Sequence, residues 1–257
     1  MSTNVVEFQS EDSIAIIRLN RPEAGNAINE AAIEALETII RRLDSDTQIR
    51  VVIMTGAESN TFCAGGDFKY FLSLDTREKG LLMSRRMQAA LNRLWSGPQV
   101  FIAAINGKAL GGGCELLTAC HFRIASERAT FAFVQAANGI TTGWGGGVRL
   151  FHLVGRSEAL RLLLTAEPID AIEASRIGFV NRIAKPDEVM PVALDLARRI
   201  CKNSRASIQA FLEMARLIYE GDPEAAVRYE TESFADRWLA DEFRKVMNDF
   251  HNSRTST

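Results

Sequence analysis

Three consecutive glycines, Gly111 to Gly113, stand between the apolar run Val100–Ile105 (VFIAAI) and the sequence Cys114-Glu115-Leu116-Leu117. No other stretch constrains the fold as tightly. A short apolar run ahead of a turn fits a buried strand, and Leu116, Leu117 and Ala119 fit the opening of a buried helix. Glycine has no Cβ, so the backbone between them can come within contact distance of a ligand. A helix N-terminus offers unpaired N–H groups and a partial positive charge to an oxyanion. Glu115, the one carboxylate between Asn106 and Ala125, falls in that first turn. Each feature also has an ordinary explanation, since glycines make turns and the helix dipole alone favours an early Glu. A second glycine loop sharpens the reading: residues 61–71 read TFCAGGDFKYF and follow the apolar strand Val51–Thr55. Two such loops can direct two backbone donors at one carbonyl oxygen, and each donor is typically worth about 3 kcal/mol in a transition state.

Strands and helices alternate around these loops. Val5–Gln9 and Ile14–Leu19 read as strands. Asn29 caps a helix carrying Ile33, Leu36, Ile40 and Leu43 at helical spacing, and Met83, Met87, Leu91 and Leu94 mark a second helix, stopped at Ser96-Gly97-Pro98. The Met83/Met87 pair reads as helix packing ahead of an acyl-pocket lining, Phe131–Phe133 as part of a strand, and Arg41-Arg42 as a solvated helix face. Trp144 fits either a substrate wall or the core. The alternation predicts an α/β fold with largely parallel pairing. Beyond residue 185 the pattern turns helical, with stripes at Val189, Val192, Leu196 and Ile200 and at Val227, Thr231, Phe234 and Trp238, and a cap at Ser204. The chain is read as one subunit, with a core over 1–185 and a helical region over 186–257.

Composition excludes several classes. At 257 residues, 47% hydrophobic and 24% charged, the chain is an ordinary globular protein. A net charge of −2 argues against broad nucleic-acid or anionic-membrane binding. No apolar run reaches transmembrane length. MSTNVV at the start lacks a signal-peptide pattern and SRTST at the end is no peroxisomal address, so the expected location is cytoplasmic. The four cysteines (63, 114, 120 and 201) show no CxxC spacing, which predicts neither a metal site nor a disulfide framework. Cys63 and Cys114 read as buried apolar filler. His121, His152 and His251 have no Ser-His-Asp arrangement or GxSxG elbow around them and read as structural.

Taken together, AGGD (Ala64–Asp67), ALGGGCEL (Ala109–Leu116), LNRPEAGNAIN (Leu19–Asn29), WGGGVRL (Trp144–Leu150), LLLTAEPI (Leu162–Ile169) and ASRIGFVNRI (Ala174–Ile183) resemble the enoyl-CoA hydratase/isomerase, or crotonase, superfamily in the family's own order. The resemblance implies a spiral of ββα units, with a C-terminal helical region that covers the site and builds trimers or dimers of trimers. It implies an acyl-CoA thioester as substrate, with no separate cofactor. The oxyanion hole would be the N–H groups of Gly66 and Gly112. Glu115 would be the acid/base, and Ala64, Gly111 and Trp144 would line the substrate site. Arg21 and Ala24 would lie in the adenine-side loop and Lys69 near the CoA, while Asp67 would brace its loop.

One departure from the pattern matters more than these matches. Hydratases of the family hold a water between two glutamates, the second in a Pro-Glu pair. Counting back from Gly139, this chain has Val134 and Gln135 there. A glutamine can hydrogen-bond but cannot exchange a proton at neutral pH. Decarboxylation of an alkylmalonyl-type thioester fits such a single-acid site, because loss of CO2 makes the enolate without a base. Glu115, desolvated, would then protonate Cα, and Gln135, the other catalytic candidate, could donate a hydrogen bond to the departing carboxylate. GITTGWGGGVRL also resembles the ethylmalonyl-CoA decarboxylases of the superfamily, which likewise lack the second glutamate. The alternatives are a hydratase or double-bond isomerase working from Glu115 alone, and a binding protein without catalysis.

Overall fold

The computed structural model describes residues 4–57 and 60–255. The readings of the two chain ends lean partly on residues 1–3, 256 and 257, which lie outside the described residues. Strands β1 (Val6–Glu11) and β2 (Ile14–Leu19) form an antiparallel hairpin, with Asp12 at φ 51° in the turn. Helix α1 (Glu30–Ser45) starts where expected: the Asn29 side chain accepts the Ala32 N–H at 3.0 Å, and Ile33, Leu36, Ile40 and Leu43 are all buried. Arg42 is exposed but lies over the Phe8 ring, 4.4 Å from its centre, so this part of the solvated face also packs.

The core then repeats one plan three times. A buried strand in the large sheet is followed by a three-residue strand in a small sheet, and then by helix. The first round is β3 (Val51–Gly56), β4 (Thr61–Cys63), and helices α2 (Phe68–Ser73) and α3 (Arg77–Ser96). The second is β5 (Val100–Ile105), β6 (Lys108–Leu110) and α4 (Gly112–Thr118), and the third is β7 (Phe122–Ser126), β8 (Thr130–Ala132) and α5 (Gly146–Thr165). Then come β9 (Ile169–Asp170), α6 (Ala171–Arg176), β10 (Arg182–Ala184) and α7 (Val189–Cys201). The large sheet runs β1-β2-β3-β5-β7-β10, parallel from β2 onward, and the small sheet runs β4-β6-β8-β9, with only β9 antiparallel. Strands β3 and β5 are buried at every position, as a parallel sheet covered on both faces requires.

One element departs from the sequence reading. The strand read at Phe131–Phe133 ends at Ala132, whose carbonyl accepts the Gly111 N–H at 2.8 Å; Phe133 leaves the ladder and packs edge-on against Phe179. Helix α5 is broken at Gly155, with φ 76° and ψ 167°.

The residues through Ile200 form one compact unit and those from Cys201 another. The second unit is helical: α8 (Arg205–Tyr219, capped by Ser204), α9 (Pro223–Trp238) and α10 (Asp241–Thr255). The expected stripe lies along α9, yet Val227 and Phe234 are each 62% exposed, and Ala226 is this helix's buried residue.

Candidate active site

Pairing of β4 with β6 aligns the two glycine loops. Cys63 lies opposite Ala109, so Gly66 and Gly112 each follow three residues beyond a matched pair. The loops run backbone against backbone: a Cβ on Gly65 would lie 2.8 Å from the Leu110 carbonyl oxygen, and one on Gly113 would lie 2.2 Å from that of Cys63. Only glycine allows this approach.

Both candidate donors are left free by the local backbone. Ile28 N–H donates to the Gly65 carbonyl and Asp67 N–H donates to the Ile28 carbonyl, so in this parallel bridge the Gly66 N–H faces the other way. Gly112 is the first residue of α4, where N–H groups have no intrahelical acceptor. Gly111, at φ 52°, makes the turn into that helix. The Phe71 ring covers Gly66 and the Trp144 ring covers Gly112, each so closely that a Cβ there would clash.

These residues line a cavity of about 690 Å³ together with Ala64, Met83, Ser84, Gln135, Asn138 and Ile140, among others. Glu115 is the only ionisable side chain lining it among the described residues. It is 2% exposed, and four N–H groups hold its carboxylate. Oε1 accepts from Gln135 Nε2 at 3.1 Å and from the Gly143 N–H at 3.2 Å. Oε2 accepts from the N–H groups of Trp144 at 2.7 Å and Gly146 at 2.9 Å. Burial pushes the Glu115 carboxyl above its ordinary value, and the Gly146, Trp144 and Gly143 N–H groups and Gln135 pull against that rise. Burial raises Cys63 to about 12 and Cys114 higher still, so both thiols stay protonated beside the site.

The turn that supplies three of these donors is itself held. Arg149, buried in α5, donates to the Trp144 carbonyl at 2.8 Å, to Thr118 Oγ1 at 3.1 Å and to Asn92 Oδ1 at 3.0 Å. The Gly143 carbonyl accepts from Ser84 Oγ and Gln88 Nε2 of α3. Sequence reading missed this part of the site. The signal was present in Gly143-Trp144-Gly145-Gly146-Gly147, a third glycine run opening a helix.

The structure thus brings Ala64, Gly66, Gly111, Gly112, Glu115, Gln135 and Trp144 to one cavity. Met83 packs against the core, as read, and also lines the cavity; its sulfur accepts from Trp144 Nε1 at 3.3 Å, while Met87 is fully in the core. Trp144 is both wall and core. Arg21, Ala24, Asp67 and Lys69 are not in the lining. Asp67 caps α2 through the N–H groups of Lys69 and Tyr70 and pairs with Arg21 at 2.8 Å; Arg21 also donates to the Ala27 carbonyl. Burial would raise the Asp67 carboxyl, but Arg21 and the two N–H groups outweigh it and hold it low. Among the described residues no group of acidic, His or Cys side chains could hold a metal, and no helix is long and apolar enough to cross a membrane.

This is the crotonase fold, carrying two glycine N–H groups and one buried acid on a single cavity. The enoyl-CoA hydratase/isomerase family profile matches residues 9–257, and the chain belongs to that family of acyl-CoA enzymes. It is 34% identical over 257 residues to the short-chain-enoyl-CoA hydratase of Clostridium acetobutylicum, covering 99% of this chain and 97% of that one. It is 35% identical over 232 residues to the ethylmalonyl-CoA decarboxylase of Xenopus laevis, covering 90% and 77%. Solved structures that resemble it include an enoyl-CoA hydratase from Bacillus anthracis (TM-score 0.91, 28% identity, 98% and 97% covered). Pseudomonas aeruginosa DspI is also similar (TM-score 0.91, 32% identity, 98% and 95% covered).

Proposed function

We propose that the protein decarboxylates an alkylmalonyl-type acyl-CoA. One observation carries the reading: among the described residues Glu115 is the only ionisable group on the cavity, and its side-chain partner is a glutamine that cannot exchange a proton. The Gly66 and Gly112 N–H groups hold the thioester oxygen. The bond between Cα and the carboxylate breaks, CO2 departs, and the electron pair forms the enolate whose oxygen those donors stabilise. Glu115 gives its proton to Cα and is reprotonated from solvent. The similarity to the Xenopus decarboxylase supports this reading.

Hydration from Glu115 alone is the second reading, favoured by the hydratases among the relatives, such as those of Clostridium acetobutylicum and Syntrophomonas wolfei. Mass-spectrometric turnover of a mixed panel of enoyl- and alkylmalonyl-CoA thioesters separates them. Loss of CO2 from an alkylmalonyl thioester is the expected result. Water addition alone selects the second reading, and no turnover of either class leaves acyl-CoA binding as the function. We further propose that the subunits assemble as trimers or dimers of trimers.

A further inference from the structure

The four donors around Glu115 match its ionised form, because each carboxylate oxygen receives two N–H groups and its acceptor positions are filled. A proton can bind only where a donor withdraws. Three of the donors are backbone groups fixed by the turn into α5, which Arg149, Ser84 and Gln88 tie down. The fourth, Gln135 Nε2, belongs to a side chain, whose torsions rather than the backbone set where its N–H points. Among the described residues, the Gln135 amide oxygen is buried without a hydrogen-bond partner, and the bond to Glu115 is the one that fixes the amide. Nε2 also lies toward the glycine edge of the cavity, where a Cβ on Gly111 would be 4.0 Å away.

We propose that Gln135 is the positioning residue that reads a carboxylate on the substrate's Cα. Its N–H passes from Glu115 Oε1 to the substrate carboxylate, and Oε1 takes up one proton from solvent in its place. A neutral acyl thioester offers no such acceptor, so Gln135 stays on Glu115 and Glu115 stays ionised. The inference deepens the decarboxylase reading and rests on it, since the group that leaves as CO2 would also be the group that loads the acid. Among the described residues, the other ionisable groups facing Glu115 are few. The Cys63 and Cys114 thiols, from β4 and α4, are held neutral by burial. The Arg149 guanidinium of α5 is held on Trp144 and Thr118. The segment from Thr130 to Gly143 carries no ionisable residue.

The test uses two CoA thioethers, which lack the thioester carbonyl and cannot react. One is carboxypropyl-CoA and the other is isobutyl-CoA, which has a methyl in place of the carboxylate. Calorimetric titrations in buffers of different ionisation enthalpy count the protons taken up on binding. For the whole protein, uptake should approach one proton per site with carboxypropyl-CoA and be near zero with isobutyl-CoA. Affinity for the former should fall about ten-fold per pH unit above the Glu115 transition, as one-proton linkage requires. Glu115→Gln should abolish the uptake. Gln135→Met, of similar length but without the N–H, should cut the preference for the carboxylate ligand about ten-fold or more. Wild-type uptake near zero, uptake that survives Glu115→Gln, or an unchanged preference in Gln135→Met would each overturn the proposal. Should Gln135→Met not fold, the wild-type and Glu115→Gln titrations decide. A protein that releases CO2 without proton-linked binding loses only this inference, whereas proton-linked binding without CO2 release removes only the decarboxylase reading.

Discussion

At the scale of single residues, Glu115 sits where burial and hydrogen bonding oppose each other. Burial wins, and the carboxyl is raised above its ordinary value. An acid catalyst must carry its proton, so decarboxylation should run fastest below that raised value and fall as pH rises through it. Glu115→Gln should lose the pH dependence and about 10²–10⁴-fold in kcat, the usual range for a lost general acid. A rate that climbs with pH over the same interval would mean that Glu115 acts as a base. Gly112 makes a separate prediction, because a Cβ there would lie 2.3 Å from Trp144 Cζ3. Gly112→Ala should destabilise the protein by about 1–3 kcal/mol through overpacking. Adding Trp144→Ala should remove most of that penalty, so a double-mutant cycle by denaturant unfolding should show strong coupling. Additive effects would show that the ring moves aside freely.

At the scale of elements, α4 carries the acid at one end and borders a half-buried histidine, whose Nε2 is enclosed, at the other. His121, just past the helix, accepts the Phe101 N–H of β5 on Nδ1 at 3.0 Å. Burial drives it from 6.5 down to about 4. The folded state therefore holds His121 neutral, and stability present above about pH 6.5 should be lost as pH falls toward 4, by about 3 kcal/mol at 1.4 kcal/mol per unit. His121→Asn keeps an acceptor for Phe101 and does not titrate, so its unfolding free energy should change less across that interval. Equal slopes for the two proteins would contradict this assignment. Legibility also varied by element. Strands β3 and β5 and helices α1 and α3 are long and periodic, and burial decides them, so sequence alone revealed them. Strands β4, β6 and β8 have three residues each, too few for any period to register, and only β8 was touched, through Phe131–Phe133. They depend on tertiary pairing. Helix α2 was missed although Asp67, its cap, had already been singled out. Its six residues leave none buried, so no apolar stripe marked it.

At the scale of the whole molecule, the glycine loops and Glu115 were legible because their chemistry is written in residue types. The donors around Glu115 were not, since they are backbone N–H groups of residues 143, 144 and 146, brought in by the fold. Exposure adds a prediction about assembly. Phe211, Ile218, Val227, Phe234 and Val246 in the second unit are each more than 60% exposed, apolar side chains that contacts between subunits would cover. Light scattering should find trimers or hexamers, and a monomer at micromolar concentration would refute the proposed assembly. The central claim is a single-acid enolate site, and it is tested most directly by measuring CO2 release from alkylmalonyl-CoA and hydration of crotonyl-CoA side by side in wild type and Gln135→Glu. The new carboxylate would stand about where Nε2 now lies, 3.1 Å from Glu115 Oε1. Two charges at that separation repel by about 5 kcal/mol at an effective dielectric near 20. Wild type should release CO2, and Gln135→Glu should lose that activity while gaining hydration. Fast hydration by the wild type, with no CO2 from any malonyl thioester, would contradict the account.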